Sequence, residues 1–315
     1  MTWYATVSIA KDDAFAGSDT KHGSLRLALK NDMNRKHFIG NQKLRALLST
    51  TKGGEINKIH PSIGKFFSNC TYMRAFDISK TVFYLPVKGL LNQISSLQHS
   101  TYINLSNTNP LIQVPPSLEK LKDLQILGFR PARTGQAQGC RIAELRRLTQ
   151  LTKLELQLTC GEQILDEEVN VLVYLQNLQI LTVNCFDNRG TDLVMKLEKL
   201  LPPKQLHQLC LRYYPGEISP TWLNPVSLPM LRYLTISSGN LTKMHRSFWS
   251  GNGTVWKIEG LLLESLSYLD EKWVVVQQAM PSLKTACVRW CPELESSPVD
   301  AGFKGGVWKK EEHRN

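Results

Sequence analysis

The sequence predicts an α/β solenoid, in which one short strand and one outer connection repeat many times along the chain. The pattern L-x-x-L-x-L, with other aliphatic residues at the same places, recurs along most of the 315 residues. From Met73 to Leu283 its first position returns every 24 to 28 residues, within the roughly 20 to 29 residues of a leucine-rich repeat. The segments between the strands have helical spacing or contain turn-forming prolines. These observations predict a leucine-rich repeat horseshoe with a parallel concave sheet and a convex side of mixed helix and loop.

The strand of each unit is expected at the L-x-L end of the pattern, where side chains alternate between the two faces of the sheet. The two aliphatic residues point into the core, while neighbours such as Thr182, Thr235 and Cys287 point out. Parallel strands of successive units then line the concave side, because each unit can cover its apolar face only with the next unit. Ten units are predicted, with first positions at Leu44, Met73, Ser100, Leu124, Leu151, Leu178, Leu206, Leu231, Ile258 and Leu283.

Among the connections, helical spacing is clearest from Asp192 to Leu201, where four leucines share one face. Asp192 is expected to cap this helix, and Pro202 is expected to end it. Two core positions depart from the pattern, because Ser100 replaces a leucine and Ala286 is a small residue in the last unit. We expect a locally under-packed core at both, costing about 1 to 3 kcal/mol relative to leucine.

The repeats are predicted to occupy residues 44–296. Residues 1–43 have no repeat register and are expected to form the entry to the repeats. Residues 297–315 are rich in glycine and charge, which is typical of a C-terminal cap followed by a tail.

Composition excludes several classes of protein. With 42% apolar and 21% charged residues, the chain can bury a large core and is not disordered. No run approaches the roughly 18 to 20 apolar residues of a membrane-spanning helix, and the start MTWYATVSIAKDD lacks a signal-peptide pattern. We therefore expect no membrane span and a cytoplasmic location. The seven cysteines are odd in number and scattered, which favours reduced thiols over disulfides.

Motifs for catalysis, metal binding and cofactor binding are not found in the sequence. The histidines show no H-E-x-x-H spacing, and neither G-x-x-x-x-G-K-[ST] nor G-x-S-x-G occurs. Cys287-x-x-x-Cys291 is the nearest candidate for a metal pair. Cys160, Cys185 and Cys291, however, fit the position just after a repeat strand, where the side chain bonds to nearby backbone. We expect no enzymatic activity, no metal and no cofactor.

The excess of basic over acidic residues in the chain does not by itself identify a partner. The formal charge of +11 is compatible with an acidic partner. Arginines cluster between Arg130 and Arg147, but they lack the interleaved aromatic residues on which nucleic-acid bases stack. We therefore expect a solvated or protein-facing patch and no nucleic-acid binding.

Aromatic residues outside the inward positions indicate a binding surface. Tyr213 and Tyr214 follow the strand of one unit, and Trp290, Phe303 and Trp308 crowd the last unit and the tail. Buried Trp and Tyr side chains dominate the energy of protein interfaces, so this concentration predicts a docking site at one end of the solenoid. The alternative for these terminal aromatics is that they seal the end of the repeats.

Several strings resemble plant NLR immune receptors of the coiled-coil class. The wider resemblance is carried by LRALLST at 44–50, FDISKT at 76–81, INLSNTNPLIQVP at 103–115, LPMLRYLTI at 228–236 and MPSLKTACVRWCPELESSP at 280–298. A narrower resemblance, to receptors of the HopZ-activated-resistance type, is carried by STTKGGEINK at 49–58, GFRPAR at 128–133, YYPGEISPTWLNP at 213–225, WKIEGLLLESLSYLD at 256–270 and GFKGGVWKKEEHR at 302–314. It extends from about residue 9 to the C-terminus.

The resemblance implies a receptor with a coiled coil, a nucleotide-binding switch domain and C-terminal repeats, of which this chain is similar to the last part. VSIAKDDAFA at 7–16 resembles the end of the winged-helix region that precedes the repeats. No residue here therefore corresponds to an ADP or ATP site. Where Leu127 meets Gly128, the family carries about two more repeats, and loss of whole units would keep the strand register.

The resemblance also implies partners and contact residues. In the family, the repeats contact the switch domain of the intact receptor and hold a receptor-like cytoplasmic pseudokinase, which captures a host kinase modified by a bacterial effector. The pseudokinase contacts carry over to Ile56, Trp290 and Phe303. Asn109 stands at a contact position where the family has histidine.

The sequence therefore predicts a non-enzymatic sensor module that binds a pseudokinase in effector-triggered plant immunity. A truncated, free-standing repeat scaffold or decoy without signalling activity is the main alternative. A substrate-recognition subunit of a ubiquitin ligase would need an F-box-like helical segment before the repeats. An extracellular receptor would need a signal peptide and a membrane span.

Overall fold

The architecture of the chain is seen in a computed structural model. It describes residues 25–29, 44–49, 57–59, 72–79, 81–83, 94, 97–106, 120–132, 140–159, 164–186, 191–249, 253–295 and 307–311. Of the segments 25–29, 57–59, 81–83 and 307–311 it describes the backbone.

Twelve strands form one parallel sheet in chain order, and two further strands, Asn57–Ile59 and Thr81–Phe83, pair with each other in a second sheet. The strands are β1 Leu25–Leu29, β2 Leu44–Ser49, β3 Asn57–Ile59, β4 Ala75–Asp77, β5 Thr81–Phe83, β6 Tyr102–Asn104, β7 Ile126–Phe129, β8 Lys153–Leu158, β9 Ile180–Cys185, β10 Gln208–Tyr214, β11 Tyr233–Gly239, β12 Gly260–Glu264, β13 Thr285–Arg289 and β14 Val307–Glu311. This succession of parallel neighbours confirms the predicted leucine-rich repeat solenoid.

The core lies directly under the sheet, where equivalent residues of successive units stack. Leu181 of β9 is in register with Leu154 of β8 and Leu209 of β10, and all three are buried. Residues between the inward positions, such as Thr182 and Cys287, are partly exposed, as predicted. Because each buried leucine contributes about 1.5 to 3 kcal/mol, the stacked rows supply most of the cohesion between units.

The convex side mixes helices and turns, which confirms that part of the prediction. The α-helices are α1 Thr191–Lys199, α2 Arg246–Trp249 and α3 Trp273–Ala279, and the 3-10 helices are Ile142–Arg147, Asp166–Glu168 and Val171–Tyr174. Two buried indole groups connect neighbouring convex segments. Trp222 Nε1 donates to the carbonyl of Leu197 in α1 (2.8 Å), and Trp256 Nε1 donates to the carbonyl of Phe248 in α2 (2.9 Å).

Helix α1 corrects two details of the sequence prediction. It begins at Thr191, so Asp192 lies in its first turn and is not its cap. It ends at Lys199, and Leu201 is therefore 41% exposed instead of joining the buried face. The remaining leucines of that face, Leu193, Leu197 and Leu200, are buried as predicted.

The two unusual core positions behave differently. Ser100 is fully buried, but its hydroxyl donates to the carbonyl of Met73 at 3.0 Å. A hydrogen bond between units thus replaces part of the packing that a leucine would give. Ala286 is buried and in register with Leu261. The under-packing expected at Ala286 stays a prediction.

The sheet has strands on both sides of residues 44–296, where the repeats were predicted. Strand β1 pairs with β2 from within residues 1–43, and β14 pairs with β13 from within residues 297–315. The entry segment and the C-terminal cap therefore each contribute one strand to the solenoid.

Candidate protein-binding surface

A hydrogen-bonded network covers the concave face at strands β4 and β6. The hydroxyl of Tyr102 donates to Asp77 Oδ2 (2.7 Å), and Asn104 Nδ2 lies 3.4 Å from the same oxygen. The hydroxyl of Ser106 donates to Asn104 Oδ1 (2.7 Å). Asp77 Oδ1 also accepts from the backbone N–H of Ser79 (2.8 Å). The Asp77 carboxylate is therefore already satisfied by groups of its own chain.

Glycine at position 128 allows this network to spread over β7. A Cβ at Gly128 would lie 2.4 Å from Asn104 Oδ1, so a side chain here would displace the Asn104 amide. Beyond Gly128, Asn184 Nδ2 of β9 donates to Glu155 Oε1 of β8 (3.1 Å). Asp77, Asn104, Gly128 and Glu155 occupy the same position in four consecutive units.

Burial perturbs two acids of this network. It raises the pKa of Glu155, against the opposing effect of Arg212 and Lys153. Burial and the neighbouring Asp77 raise the pKa of the Tyr102 hydroxyl. Tyr102 therefore remains a hydrogen-bond donor at neutral pH, while the Glu155 carboxylate is less stable in the fold than in water.

Ion pairs replace this network in the C-terminal half. Glu259, just before β12, pairs with Arg232 (2.7 Å) and with Lys284 (2.6 Å). Glu264, at the end of β12, pairs with Arg289 at 3.4 Å. Such partly exposed pairs contribute at most about 1 kcal/mol each. Two carboxylates face three cations here, so the group keeps a net positive charge.

The carboxyl edge of strands β9 and β10 presents exposed aromatic side chains. Tyr213 is 41% exposed and stacks on Phe186, which is 49% exposed, with ring centroids 5.6 Å apart. Tyr214 is buried instead, and its hydroxyl donates to the carbonyl of Ile218 (3.2 Å). The sequence had grouped Tyr213 with Tyr214 as surface residues, which is wrong for Tyr214, since strand alternation turns it into the core.

Of the four predicted contact residues, Trp290 is described. It follows β13 directly, is half-buried, and has a φ of 53°. Ile56, Asn109 and Phe303 lie outside the described residues, as does the side chain of Trp308, whose backbone lies in β14. Their place in a contact surface remains a prediction.

Sequence reasoning missed Phe186. It is the ninth residue of the unit that begins at Leu178, directly after β9. The available signal was its position one residue after the end of the strand. There the alternation of buried and exposed side chains along the strand no longer applies. Tyr213 occupies the eighth position of the next unit, so the two rings meet across one strand spacing.

The cysteines have the properties of structural thiols. All five described cysteines are free, and burial raises the pKa of Cys185 to about 12. Burial also raises the pKa values of Cys140, Cys210 and Cys291, which disfavours the nucleophilic thiolate. Cys291 Sγ lies 3.3 Å from the carbonyl oxygen of Arg289, which confirms the backbone-bonding role predicted for it.

The described part of the chain contains neither a metal-binding cluster nor a membrane-spanning helix. No group of three His, Cys, Asp or Glu side chains is placed there to hold a metal ion. No helix among the same residues is long and apolar enough to cross a membrane.

The chain is similar to one family model and to several solved structures. Residues 132–245 match the family model described as "Leucine-rich repeat region". Solved structures with similarity include an internalin (inlF) of Listeria monocytogenes, with 13% identity, 93% of this chain and 87% of that chain covered, and a TM-score of 0.45. Another is the complex PEPR1-AtPEP1, with 14% identity, 86% and 36% coverage, and a TM-score of 0.38. Similarity this low carries no information on partners.

A curated relative covers nearly the whole chain. "Disease resistance RPP13-like protein 4" of Arabidopsis thaliana is 42% identical over 357 residues, which cover 96% of this chain and 41% of the relative. The chain therefore spans less than half the length of the relative that it matches. The described molecule is a leucine-rich repeat solenoid similar to one region of a plant disease resistance protein.

Proposed function

We propose that this chain is the leucine-rich repeat sensor region of a plant intracellular immune receptor of the coiled-coil NLR class, of the HopZ-activated-resistance type. Its role is to bind a receptor-like cytoplasmic pseudokinase and, in the intact receptor, to contact the switch domain. The observation that carries the proposal is the 42% identity to a disease resistance protein over 96% of the chain. An identity this high over 96% of the chain supports a shared function in addition to a shared repeat pattern.

A binding role agrees with the chemistry of the surface. The concave face offers hydroxyls, amides and ion pairs, and four of the five described cysteines are buried, which disfavours their action as nucleophiles. Repeat solenoids bind partners through such extended surfaces. We infer that the chain recognises protein and performs no reaction.

Trp290, Ile56, Phe303 and Asn109 are the proposed contacts with the pseudokinase. Trp290 lies among the described residues, directly after β13 at the carboxyl edge of the last complete unit. Large aromatic side chains in such positions supply a high share of interface energy. The effector-modified host kinase would then bind indirectly, through the pseudokinase.

The proposal includes a solenoid with fewer repeats, and so a shorter curve, than the matching region of the relative. The match runs over 357 residues, which is longer than this 315-residue chain, so the relative has residues there without a counterpart here. The register nevertheless passes from β6 through β7 to β8 without a shift. The first observation supports a loss of residues without locating it, and the unshifted register supports a loss of whole repeats.

Co-purification of the chain with plant receptor-like cytoplasmic pseudokinases tests the proposal. Trp290→Ala should weaken binding by about 2 kcal/mol, or roughly 30-fold, because a truncated indole leaves its contacts unfilled. Tyr174→Ala is the control, since Tyr174 is 56% exposed but precedes its strand and so lies away from the carboxyl edge. Absence of binding by the unaltered chain would contradict the proposed partner.

A further inference from the structure

A groove with basic walls lies on the edge of the solenoid where the strands begin, between the connections that lead into β7 and β8. It is open to solvent and has a volume of about 670 Å³. Its walls are equivalent turns of two consecutive units, at 122–123 and 149–150, each directly before the first leucine of its unit. We call it the basic groove, and its lining residues are Lys122, Asp123, Arg147, Thr149 and Gln150.

The sequence around the basic groove has a strong excess of positive charge. Residues 119–153 contain eight Lys or Arg and three Asp or Glu, so they carry +5 of the formal +11 of the whole chain. Lys122 and Arg147 line the groove, and Lys120 and Arg146 lie within two residues of them in the same connections. All four side chains are exposed, while the carboxylate that lines the groove is Asp123. The surface therefore attracts an anionic partner.

Three of these four cations are not paired with a carboxylate in the part of the chain that the structure describes. They are Lys120, Lys122 and Arg146. By contrast, Arg141 of the same connection pairs with Glu168 of the next unit at 2.5 Å. An approaching anion can therefore reach the three cations without breaking an ion pair within the fold.

The groove is ordered by contacts with the next unit. The guanidinium carbon of Arg146 lies 5.6 Å from the ring centroid of Tyr174, a cation–π contact that leaves the N–H groups at the rim of the guanidinium plane for an anion. The turn at Thr149 is held by Asn177, whose Nδ2 donates to the Thr149 carbonyl at 2.8 Å. Groups that are already ordered lose less entropy when a partner binds.

We propose that the basic groove binds an extended, acidic segment of a partner protein, whose carboxylates pair with Lys122, Arg146 and Arg147. In an extended chain, side chains two residues apart point to the same face and lie about 7 Å apart. Long Lys and Arg side chains of consecutive units can meet two such carboxylates. No aromatic residue lines the groove, so it lacks the surface on which nucleic-acid bases stack.

The inference goes beyond the proposed function, because it concerns the opposite edge of the sheet from Trp290 and a different chemistry of partner. It does not depend on binding of a pseudokinase.

Deca-glutamate, labelled for fluorescence anisotropy, is the probe for the whole chain. Lys122→Glu and Arg146→Glu should each weaken its binding about fivefold or more, since each replaces an attraction with a repulsion. Lys204→Glu is the matched control, because Lys204 is also exposed and also stands two residues before the first leucine of its unit. It makes the same change of charge three units away, and binding should change less than about twofold. All three variants should melt within about 2 °C of the unaltered chain, because the side chains are exposed.

The other outcomes overturn the inference. Equal weakening by Lys122→Glu and Lys204→Glu would show that the peptide responds to the overall charge of the chain and not to the groove. Absence of deca-glutamate binding by the unaltered chain would remove the acidic segment as the occupant. Binding of oligouridine RNA of the same length, without binding of deca-glutamate, would assign the groove to nucleic acid instead.

Discussion

The concave network of the N-terminal half and the carboxyl edge of the C-terminal half use their exposed side chains in opposite ways. In the network, Asp77, Tyr102 and Asn104 satisfy one another across adjacent strands. At the edge, Tyr213 and Trp290 occupy a costly backbone conformation, and Tyr213 leaves much of its ring exposed. Polar groups that are already paired gain little from a partner, whereas exposed aromatic rings gain from being covered. The same repeat scaffold thus carries one region suited to stability and one suited to recognition.

The largest effect is expected from Gly239→Ala at the carboxyl edge. Gly239 has a φ of 101°, and a Cβ there would lie 2.3 Å from the carbonyl oxygen of Tyr214. Strain and a clash with rigid backbone together should lower the free energy of unfolding by about 3 kcal/mol or more, measured by denaturant titration. Gly253→Ala is the matched control, since Gly253 also has positive φ (79°) but nothing lies within 4 Å of a new Cβ. Equal losses in the two variants would show that close approach to Tyr214 is unimportant.

In the polar network, Asp77→Ala should lower the free energy of unfolding by about 2 kcal/mol, because it removes the acceptor of the Tyr102 hydroxyl and of the Ser79 N–H. Denaturant titration measures this, with Asp166→Ala as the control. Asp166 is an exposed acid that pairs with Lys196 at the surface, and little change is expected there. If Asp77→Ala were as stable as the unaltered chain, the network would not be structural.

Gly128→Ala should have a smaller effect than Gly239→Ala. The new Cβ would meet the end of the Asn104 side chain, which can rotate away, and not backbone. The loss should be about 1 kcal/mol, since the bond between Ser106 and Asn104 is disrupted. Combined with Asp77→Ala, it should cost less than the sum of the two single changes, because both break the same network. Strict additivity in a double-mutant cycle would contradict that connection.

The smallest effect is expected from Glu155→Gln, and it should depend on pH. Burial raises the pKa of Glu155 in the folded chain, so the stability linked to its protonated form is complete below the unfolded pKa of about 4.3. That stability is lost as the pH rises through the folded pKa. Glutamine stays neutral and keeps an oxygen to accept from Asn184. The melting temperature of the variant should exceed that of the unaltered chain at pH 7.5, and the difference should shrink toward pH 4.

The fold could be predicted from the sequence because the leucine pattern that produces it recurs in every unit. The inward leucines, such as Leu154 and Leu181, return at near-constant spacing. Each unit therefore predicts the same strand and connection as its neighbours. Strands β1 and β14 were not predicted, since each is a single strand without a complete repeat pattern around it. Their pairing depends on the edges that β2 and β13 offer.

The candidate site was less accessible to sequence reasoning. The register places Asp77, Asn104 and Glu155 in equivalent positions, but which side chain bonds to which depends on rotamers and on the missing side chain at Gly128. Tyrosine and tryptophan have no preference for positive φ, so the sequence contains no sign that Tyr213 and Trp290 adopt it. The narrower resemblance identified Trp290, and the exposure of Phe186 became visible only in three dimensions.

The unshifted register through β6, β7 and β8 makes the length of the solenoid adjustable in whole steps. Adding or removing one unit would move the two ends relative to each other by about 4.8 Å along the sheet, without turning any side chain to the opposite face. The number of units between the two ends therefore sets the distance that a partner touching both ends must span. A change in that number selects for a larger or smaller partner, while the residues of both contacts stay the same.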